Sequence, residues 1–214
     1  MNPIKTEDIA RRLAQDIPDG AYVNLGIGLP TMVANYVSSD KEVIYHSENG
    51  ILGVGPAPAP GQENPELINA SKQHVTLLPG GAFFDNAQSF GMMRGGHIDI
   101  AVLGAYQVSA KGDLANWATN DEKYPPAVGG AMDLAVGAKQ LFVLMRHTTP
   151  DKAPKILEEC TYPLTGAGVV TRIYTDLAVI HVTPEGLRVH ELHPGNTFEE
   201  VQALTGARLL PPVI

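Results

Sequence analysis

Apolar and polar positions follow two periods along this chain. Ile9, Leu13 and Ile17 recur every four residues, with polar and charged residues between them, which sets one apolar stripe along a helix. Thr6 stands where an N-cap belongs, and Glu7 and Asp8 fill the first turn, where the helix dipole favours carboxylates. Pro18-Asp19-Gly20 stops the pattern, so the spacing predicts a helix over 6–17. Beyond it the period shortens. Apolar or β-branched runs at 22–25, 43–46, 75–78, 98–103, 141–145, 177–182 and 187–192 are predicted strands.

Between the first five of these runs lie segments able to form helices, at 31–37, 89–93 and 132–136. That alternation predicts strand–helix–strand crossovers. Near-continuous apolar stretches such as AVLG and LFVLM suit strands covered on both faces. Thr183-Pro184-Glu185-Gly186 is a turn signal between the last two runs and predicts an antiparallel hairpin. Thr197 and Glu200 have the spacing of a capping box opening a helix that stops at Gly206. Segment 55–64, with three prolines and two glycines, is a predicted loop. The expected fold class is α/β: an open, mostly parallel sheet flanked by helices, with a C-terminal antiparallel hairpin.

Composition narrows the function more than the fold. With 214 residues, 44% hydrophobic and 18% charged, the chain can bury one sizeable core, and a single domain over 1–214 is expected. A formal net charge of −8 argues against nucleic acid or an anionic membrane as a partner. An anionic substrate therefore needs local basic groups or amide dipoles. The lone Cys160 excludes an intramolecular disulfide and a cysteine-type zinc site, and a reducing cytoplasm is the expected compartment. The N-terminal MNPIKTEDIARRL lacks the apolar core of a signal peptide, and no run of 18 apolar residues occurs, so a soluble, non-exported protein is expected.

Several predicted strands run into glycine: Leu25 into Gly26-Ile27-Gly28, Leu103 into Gly104, Leu78 through Pro79 into Gly80-Gly81, and His46 through Ser47-Glu48-Asn49 into Gly50. Open parallel sheets bind ligands outside the carboxyl ends of their strands, and glycine lets a ligand approach the backbone. Strand-end glycines serve equally as turn residues, and at this level both readings stand. Gly26-Ile27-Gly28 lacks the third glycine and downstream acid of a dinucleotide fingerprint, and no lysine-containing phosphate loop is present, which disfavours NAD and ATP.

Five collinear stretches add a resemblance: SENGILGVGP, ELINASKQHVTLLPGGAFF, SFGMMRGGHIDIAVLGAYQVSAKGDLANW, VGGAMDLAVGAK and CTYPLTG. Together, from about residue 7 to residue 190, they resemble the β subunit of the 3-oxoacid CoA-transferases. PGGAFF and PAVGGAMDLA are most similar to the 3-oxoadipate branch of that family. The resemblance implies that Glu48 is the covalent nucleophile and that the Gly130 amide helps form an oxyanion hole. Asn49, Gly129, Gly26 and Gly28 are expected to contact substrate, with Asn49 or Ser47 orienting Glu48. It implies ping-pong transfer of CoA from succinyl-CoA to a 3-oxo acid through a glutamyl-CoA thioester. A carboxylate suits that role because it is ionised at neutral pH without a partner base. No cofactor is expected, since the CoA thioester is itself a substrate.

The same resemblance implies a missing half. Full-length relatives hold two similar α/β halves, and this chain corresponds to the one with the glutamate. The other half, an A-type (α) CoA-transferase subunit, is therefore expected beside it in an α2β2 or similar assembly. An acetoacetate-type transferase, an acyl-CoA hydrolase and a non-catalytic ligand-sensing module are the competing readings of the same scaffold.

Other residues are weighed on their own terms. The seven histidines show no HExxH or comparable ligand spacing, and no metal site is expected. Lys72 reads as a solvated flank or a CoA phosphate contact, and Arg94 as a carboxylate binder or a structural pair. Asp113, Asn116 and Trp117 read first as packing, and Cys160 as an inert thiol without a base beside it.

Overall fold

A computed structural model describes residues 2–119 and 127–213. The chain builds α1 (Thr6–Gln15), β1 (Tyr22–Leu25), a 3₁₀ helix (Leu29–Asn35), β2 (Ile44–Ser47), β3 (Ile51–Val54), β4 (Leu77–Phe83), α2 (Asn86–Arg94) and β5 (Ile100–Leu103). There follow β6 (Gln107–Ser109), β7 (Leu114–Ala115), α3 (Ala131–Gly137), β8 (Gln140–Leu144) and β9 (Ile156–Leu157). β10 (Arg172–Tyr174), β11 (Ala178–Thr183), β12 (Gly186–Leu192), α4 (Phe198–Ala203) and β13 (Leu209–Leu210) complete it. Among the described residues no helix is long and apolar enough to cross a membrane.

One sheet runs in the order β13-β12-β11-β10-β8-β5-β1-β2-β3-β4. Its centre, β10-β8-β5-β1-β2, is parallel throughout. Antiparallel pairs extend it at both ends, β2-β3-β4 on one side and β10-β11-β12 on the other. The predicted open, mostly parallel sheet and its C-terminal hairpin are present. The antiparallel extension at the opposite edge goes beyond that expectation. A small sheet, β7-β6-β9, lies apart.

Successive side chains of a strand face opposite ways, and the central strands use both faces. Ala101, Leu103, Leu141, Val143 and Ile173 join one buried cluster with Met93 of α2 and Leu134 of α3. Ile100, Val102, Phe142, Leu144 and Tyr174 join another with Ile9 and Leu13 of α1 and Val33 of the 3₁₀ helix. This two-sided burial is why AVLG and LFVLM are apolar without alternation. It also fixes a switch point. The chain leaves β1 toward the α1 face and returns from β5 through α3 on the other, so the exits of adjacent β1 and β5 diverge and open a crevice.

The boundaries carry corrections. α1 begins at Thr6 itself, after extended Lys5 with no side-chain cap, and ends at Gln15. Asp16 is its C-cap, and its carboxylate accepts from Arg12 and the Tyr174 hydroxyl. The predicted helix at 31–37 is the 3₁₀ helix, shifted toward Pro30 at its start. The Thr197–Glu200 capping box forms, with both reciprocal hydrogen bonds, but its helix stops at Ala203. Gly80 and Gly81 do not end a strand. They lie inside β4, an edge strand in which Pro79 needs no ladder partner on its open side.

Candidate active site

The SENG segment is the turn of the β2–β3 hairpin, not the exit of a crossover strand. His46 pairs with Leu52 and Ser47 with Ile51, leaving Glu48-Asn49-Gly50 as a three-residue loop closed by Gly50 N–H donating to the Ser47 carbonyl at 3.0 Å. Gly50 has φ +112°, and a Cβ there would run into the Phe84 carbonyl oxygen, so this position requires glycine. The hairpin is bolted down around Glu48. Ser47 Oγ accepts from Ala70 N–H at 3.0 Å, and Asn49 Nδ2 donates to the Ile68 carbonyl at 2.7 Å. Both side chains therefore hold the 68–70 loop rather than the Glu48 carboxylate. Beneath them His46, buried and pushed down to about 4 by desolvation, stays neutral. Asn24 Nδ2 donates to its Nδ1, which leaves the proton on Nε2 facing Ser89 Oγ at 3.1 Å.

Glu48 points at Gly130. A Cβ on Gly130 would overlap the Glu48 carboxylate oxygen Oε2 and come within 2.9 Å of its Cδ. The carboxylate thus occupies the volume any other residue's side chain would need. Gly130 is the residue before α3, Gly129 before it has φ +56°, and among the described residues the Gly130 N–H has no hydrogen-bond acceptor. First-turn amides of a helix lack intrahelical partners. Partial burial, with the negative charge of Asp133 one turn into α3 as the smaller cause, raises the Glu48 pKa above the usual carboxylate range. A poorly hydrated carboxylate beside a free amide is suited to attack an acyl carbon and to have the resulting oxyanion bound nearby.

Glu48 opens into a cleft of about 500 Å³ at the β1/β5 switch point, lined by Gly26, Ile27, Gly104, Tyr106, Gly129 and Gly130 among others. Gly26 is backed tightly by Leu103, whose Cδ2 a Cβ would meet at 2.7 Å, while its own N–H bonds the Val102 carbonyl at 2.8 Å. Gly28, with φ +88°, caps the 3₁₀ helix and is not among the cleft lining. Asn49 is exposed on the hairpin and is likewise outside it. A second cavity of about 400 Å³ shares Leu25, Ser47 and Ala70 with the first and extends past Asn69, Ser71 and Gln73. Lys72 sits exposed in that turn with φ +61°.

Other candidates resolve structurally. Arg94 Nε donates to Asp133 Oδ1 at 2.6 Å, a structural pair that also ties α2 to α3. Asp113 accepts from Ser109 Oγ and Gly168 N–H, and the Trp117 indole N–H donates to the Leu164 carbonyl. Asn116 does line the cleft, held by Gly104 and Thr165. Burial, reinforced by Asp113, pushes the Cys160 thiol up to about 11, which makes it a poor nucleophile. Among the described residues no group of three or more histidine, cysteine or acidic side chains is placed to hold a metal ion. Pro126, which opens PAVGGAMDLA, lies outside the described residues.

Three groups at or beside the site escaped sequence reasoning. Asp133 acts on Glu48 from within GGAMD, where α-helical spacing from Gly130 is the only signal. Arg146 and Lys155 line the cleft from beyond β8, and no local pattern marks either one.

Comparison with known proteins gives the family. The coenzyme A transferase family model matches residues 6–204, and the chain belongs to that family. It is 65% identical over 203 residues to the B-type subunit of the 3-oxoadipate CoA-transferase of Pseudomonas putida, covering 95% of each chain. It is 61% identical over 204 residues to the protein of the same name from Acinetobacter baylyi, covering 95% of this chain and 94% of the other. Among solved structures, an acyl-CoA transferase apoenzyme from Escherichia coli O157:H7 superimposes with a TM-score of 0.77 at 18% identity, and so supports the fold. That match covers 97% of this chain but 42% of the longer one.

Proposed function

We propose that this chain is the glutamate-bearing subunit of a two-subunit CoA-transferase that moves CoA from succinyl-CoA to a 3-oxo acid, 3-oxoadipate in particular, in the cytoplasmic breakdown of aromatic compounds. One observation carries the reading: the half-buried Glu48 carboxylate, its pKa raised, lies directly on Gly130 at the mouth of the switch-point cleft. The 3-oxoadipate assignment and the A-type companion chain draw support from the names of the relatives above.

A Glu48 oxygen attacks the thioester carbonyl of succinyl-CoA. The C–S bond breaks, CoA leaves as thiolate, and a mixed succinyl–glutamyl anhydride remains. The thiolate then attacks the Glu48 carbonyl carbon, expelling succinate and leaving a glutamyl-CoA thioester. A carboxylate oxygen of the 3-oxo acid attacks that thioester, and the same two steps in reverse restore Glu48 and release 3-oxoacyl-CoA. Each addition places negative charge on a carbonyl oxygen, for which the Gly130 N–H is available. No proton needs a general base at any step.

The test is intact-mass analysis, following incubation with succinyl-CoA, of the chain assembled with its companion. The expected result is a CoA adduct on Glu48 that the 3-oxo acid discharges. Absence of the adduct, or full transfer activity in Glu48→Ala, would overturn the reading.

A further inference from the structure

The cleft is an odd place for two cations in a chain with net charge −8. Arg146 and Lys155 both line it, in the same cleft as Glu48. Glu48 rises from the end of β2, whereas Arg146 follows β8, three strands across the sheet.

The two cations differ in what they already hold. Arg146 Nη1 donates to Asp176 Oδ2 at 3.1 Å and to the Ile4 carbonyl at 3.2 Å. The other Asp176 oxygen accepts from the His147 N–H at 2.8 Å. Asp176 is thereby committed. It still favours the charged lysine through space, as a smaller influence than the burial that opposes the charge. Among the described residues the Lys155 ammonium has no hydrogen bond and no carboxylate within 4.0 Å. Its backbone is fixed, by Lys155 N–H to the His147 carbonyl at 3.3 Å and by Val108 N–H to the Lys155 carbonyl at 3.0 Å. His147, its other titratable neighbour, is buried and pushed down to about 4, so it adds no charge at neutral pH. A partly buried ammonium without a counter-ion is costly in the empty protein and is relieved by an anion entering the cleft.

We propose that Lys155 is the electrostatic anchor for the distal, non-reacting carboxylate of a dicarboxylic acyl substrate, holding it while the other carboxyl carbon faces Glu48. This rests on the reading of Glu48 as the covalent nucleophile. It makes preference for diacids a property of this chain, and it places the requirement for a local basic group on one residue. The role is one of binding and specificity, distinct from bond making.

The anchor is tested by binding of free succinate to the assembled two-subunit protein, measured by calorimetry, with Lys155→Met and Lys155→Arg as variants. Methionine keeps the apolar stem and volume without the charge. Lys155→Met is expected to weaken succinate binding at least about 30-fold with a melting temperature at or above that of wild type, and Lys155→Arg to keep most of the binding, since loss of a charge-assisted contact to a buried ion is worth about that factor. Succinate binding by Lys155→Met as tight as wild type, or no succinate binding by wild type, overturns the anchor. In a parallel arm, the glutamyl-CoA adduct is followed by mass with succinyl-CoA and with acetoacetyl-CoA. Lys155→Met should slow the first and spare the second, and equal slowing of both overturns the anchor. If wild type forms no adduct while succinate binding is lost in Lys155→Met, the covalent reading falls and the anchor stands.

Discussion

The sheet carries an antiparallel hairpin at each end, and the two use the same motif for opposite ends. In β11–β12 the loop is Pro184-Glu185, closed by Thr183 Oγ1 donating to the Gly186 carbonyl at 2.8 Å, and its glutamate projects into solvent. In β2–β3 the loop is one residue longer, and its glutamate is folded back against Gly130. The difference does not lie in the strands. It lies in what surrounds the turn: the 68–70 loop bound by Ser47 and Asn49, the Phe84 backbone under Gly50, and the β1/β5 crevice in front. Neighbouring segments take water and freedom from one turn glutamate and leave both to the other.

The strongest way to break the comparison is to neutralise each glutamate. Glu48→Gln should abolish the CoA adduct and lower transfer by roughly 10⁴-fold or more, the scale on which nucleophile removal is felt, while Glu185→Gln changes neither. Stability should move the other way. Folding raises the Glu48 pKa, so the folded chain favours the protonated acid. Any contribution this group makes to stability is present at low pH and lost as pH rises through its folded pKa. At neutral pH the ionised carboxylate opposes folding, and Glu48→Gln should melt at or above the wild-type temperature in a thermal scan.

Next in size is Gly130→Ala. Its Cβ would overlap the Glu48 carboxylate, so the side chain must swing away from the free amide. Transfer should fall about 100- to 1000-fold, comparable to losing one oxyanion donor, with little change in melting temperature, because the cleft gives the displaced side chain room.

The turn glycines separate the hairpins by stability. Gly50 and Gly186 both have positive φ, at +112° and +124°. A Cβ at Gly50 meets the Phe84 carbonyl oxygen, whereas at Gly186 the nearest atom is Leu210 Cδ1 at 4.0 Å. Gly186→Ala should cost only backbone strain, about 1–2 kcal/mol in denaturant unfolding. Gly50→Ala adds a collision with fixed backbone and should cost more than that, and it should also reduce adduct formation because Glu48 rides on the same loop.

These contrasts follow what the sequence could and could not express. β1 is found at the residues its pattern predicts, and β5, β8, β11 and β12 differ from theirs by one or two at the ends, because each of these strands must satisfy a core face or a hairpin ladder. The Pro184-Glu185 turn and the Thr197–Glu200 box were equally plain, since both are local chemistry. The β2–β3 hairpin was not: Ile51-Leu52-Gly53-Val54 is short and interrupted by glycine, and its partner β4 contains Pro79-Gly80-Gly81, residues that normally argue against a strand. Arg172–Tyr174 escaped for a different reason. Three residues carry too little periodicity, and their place beside β8 is settled by burial of Ile173 and Tyr174 on opposite faces. At the site, the motifs singled out Glu48 and Gly130, which the fold brings together. Lys155 was not, because its significance lies in a partner it lacks, which no string of residues records.

The smallest predicted effect tests whether Asp133 tunes the reactive hairpin. Its charge is the lesser of the two causes that raise the Glu48 pKa, after burial, and it already holds Arg94 at 2.6 Å. In the proposed mechanism the attacking group is the ionised form, so adduct formation must fail as pH drops through the Glu48 pKa, and that acid limb should lie above the ordinary carboxylate range of about 4.3. Asp133→Asn removes a like charge, stabilises the ionised carboxylate and moves the limb to lower pH, while burial, the larger cause, still holds it above the ordinary range. Arg94→Gln, which unmasks Asp133, should move it the opposite way. The rate of adduct formation measured against pH reads both shifts, and a limb that stays put in both variants would leave burial alone as the source of the Glu48 shift.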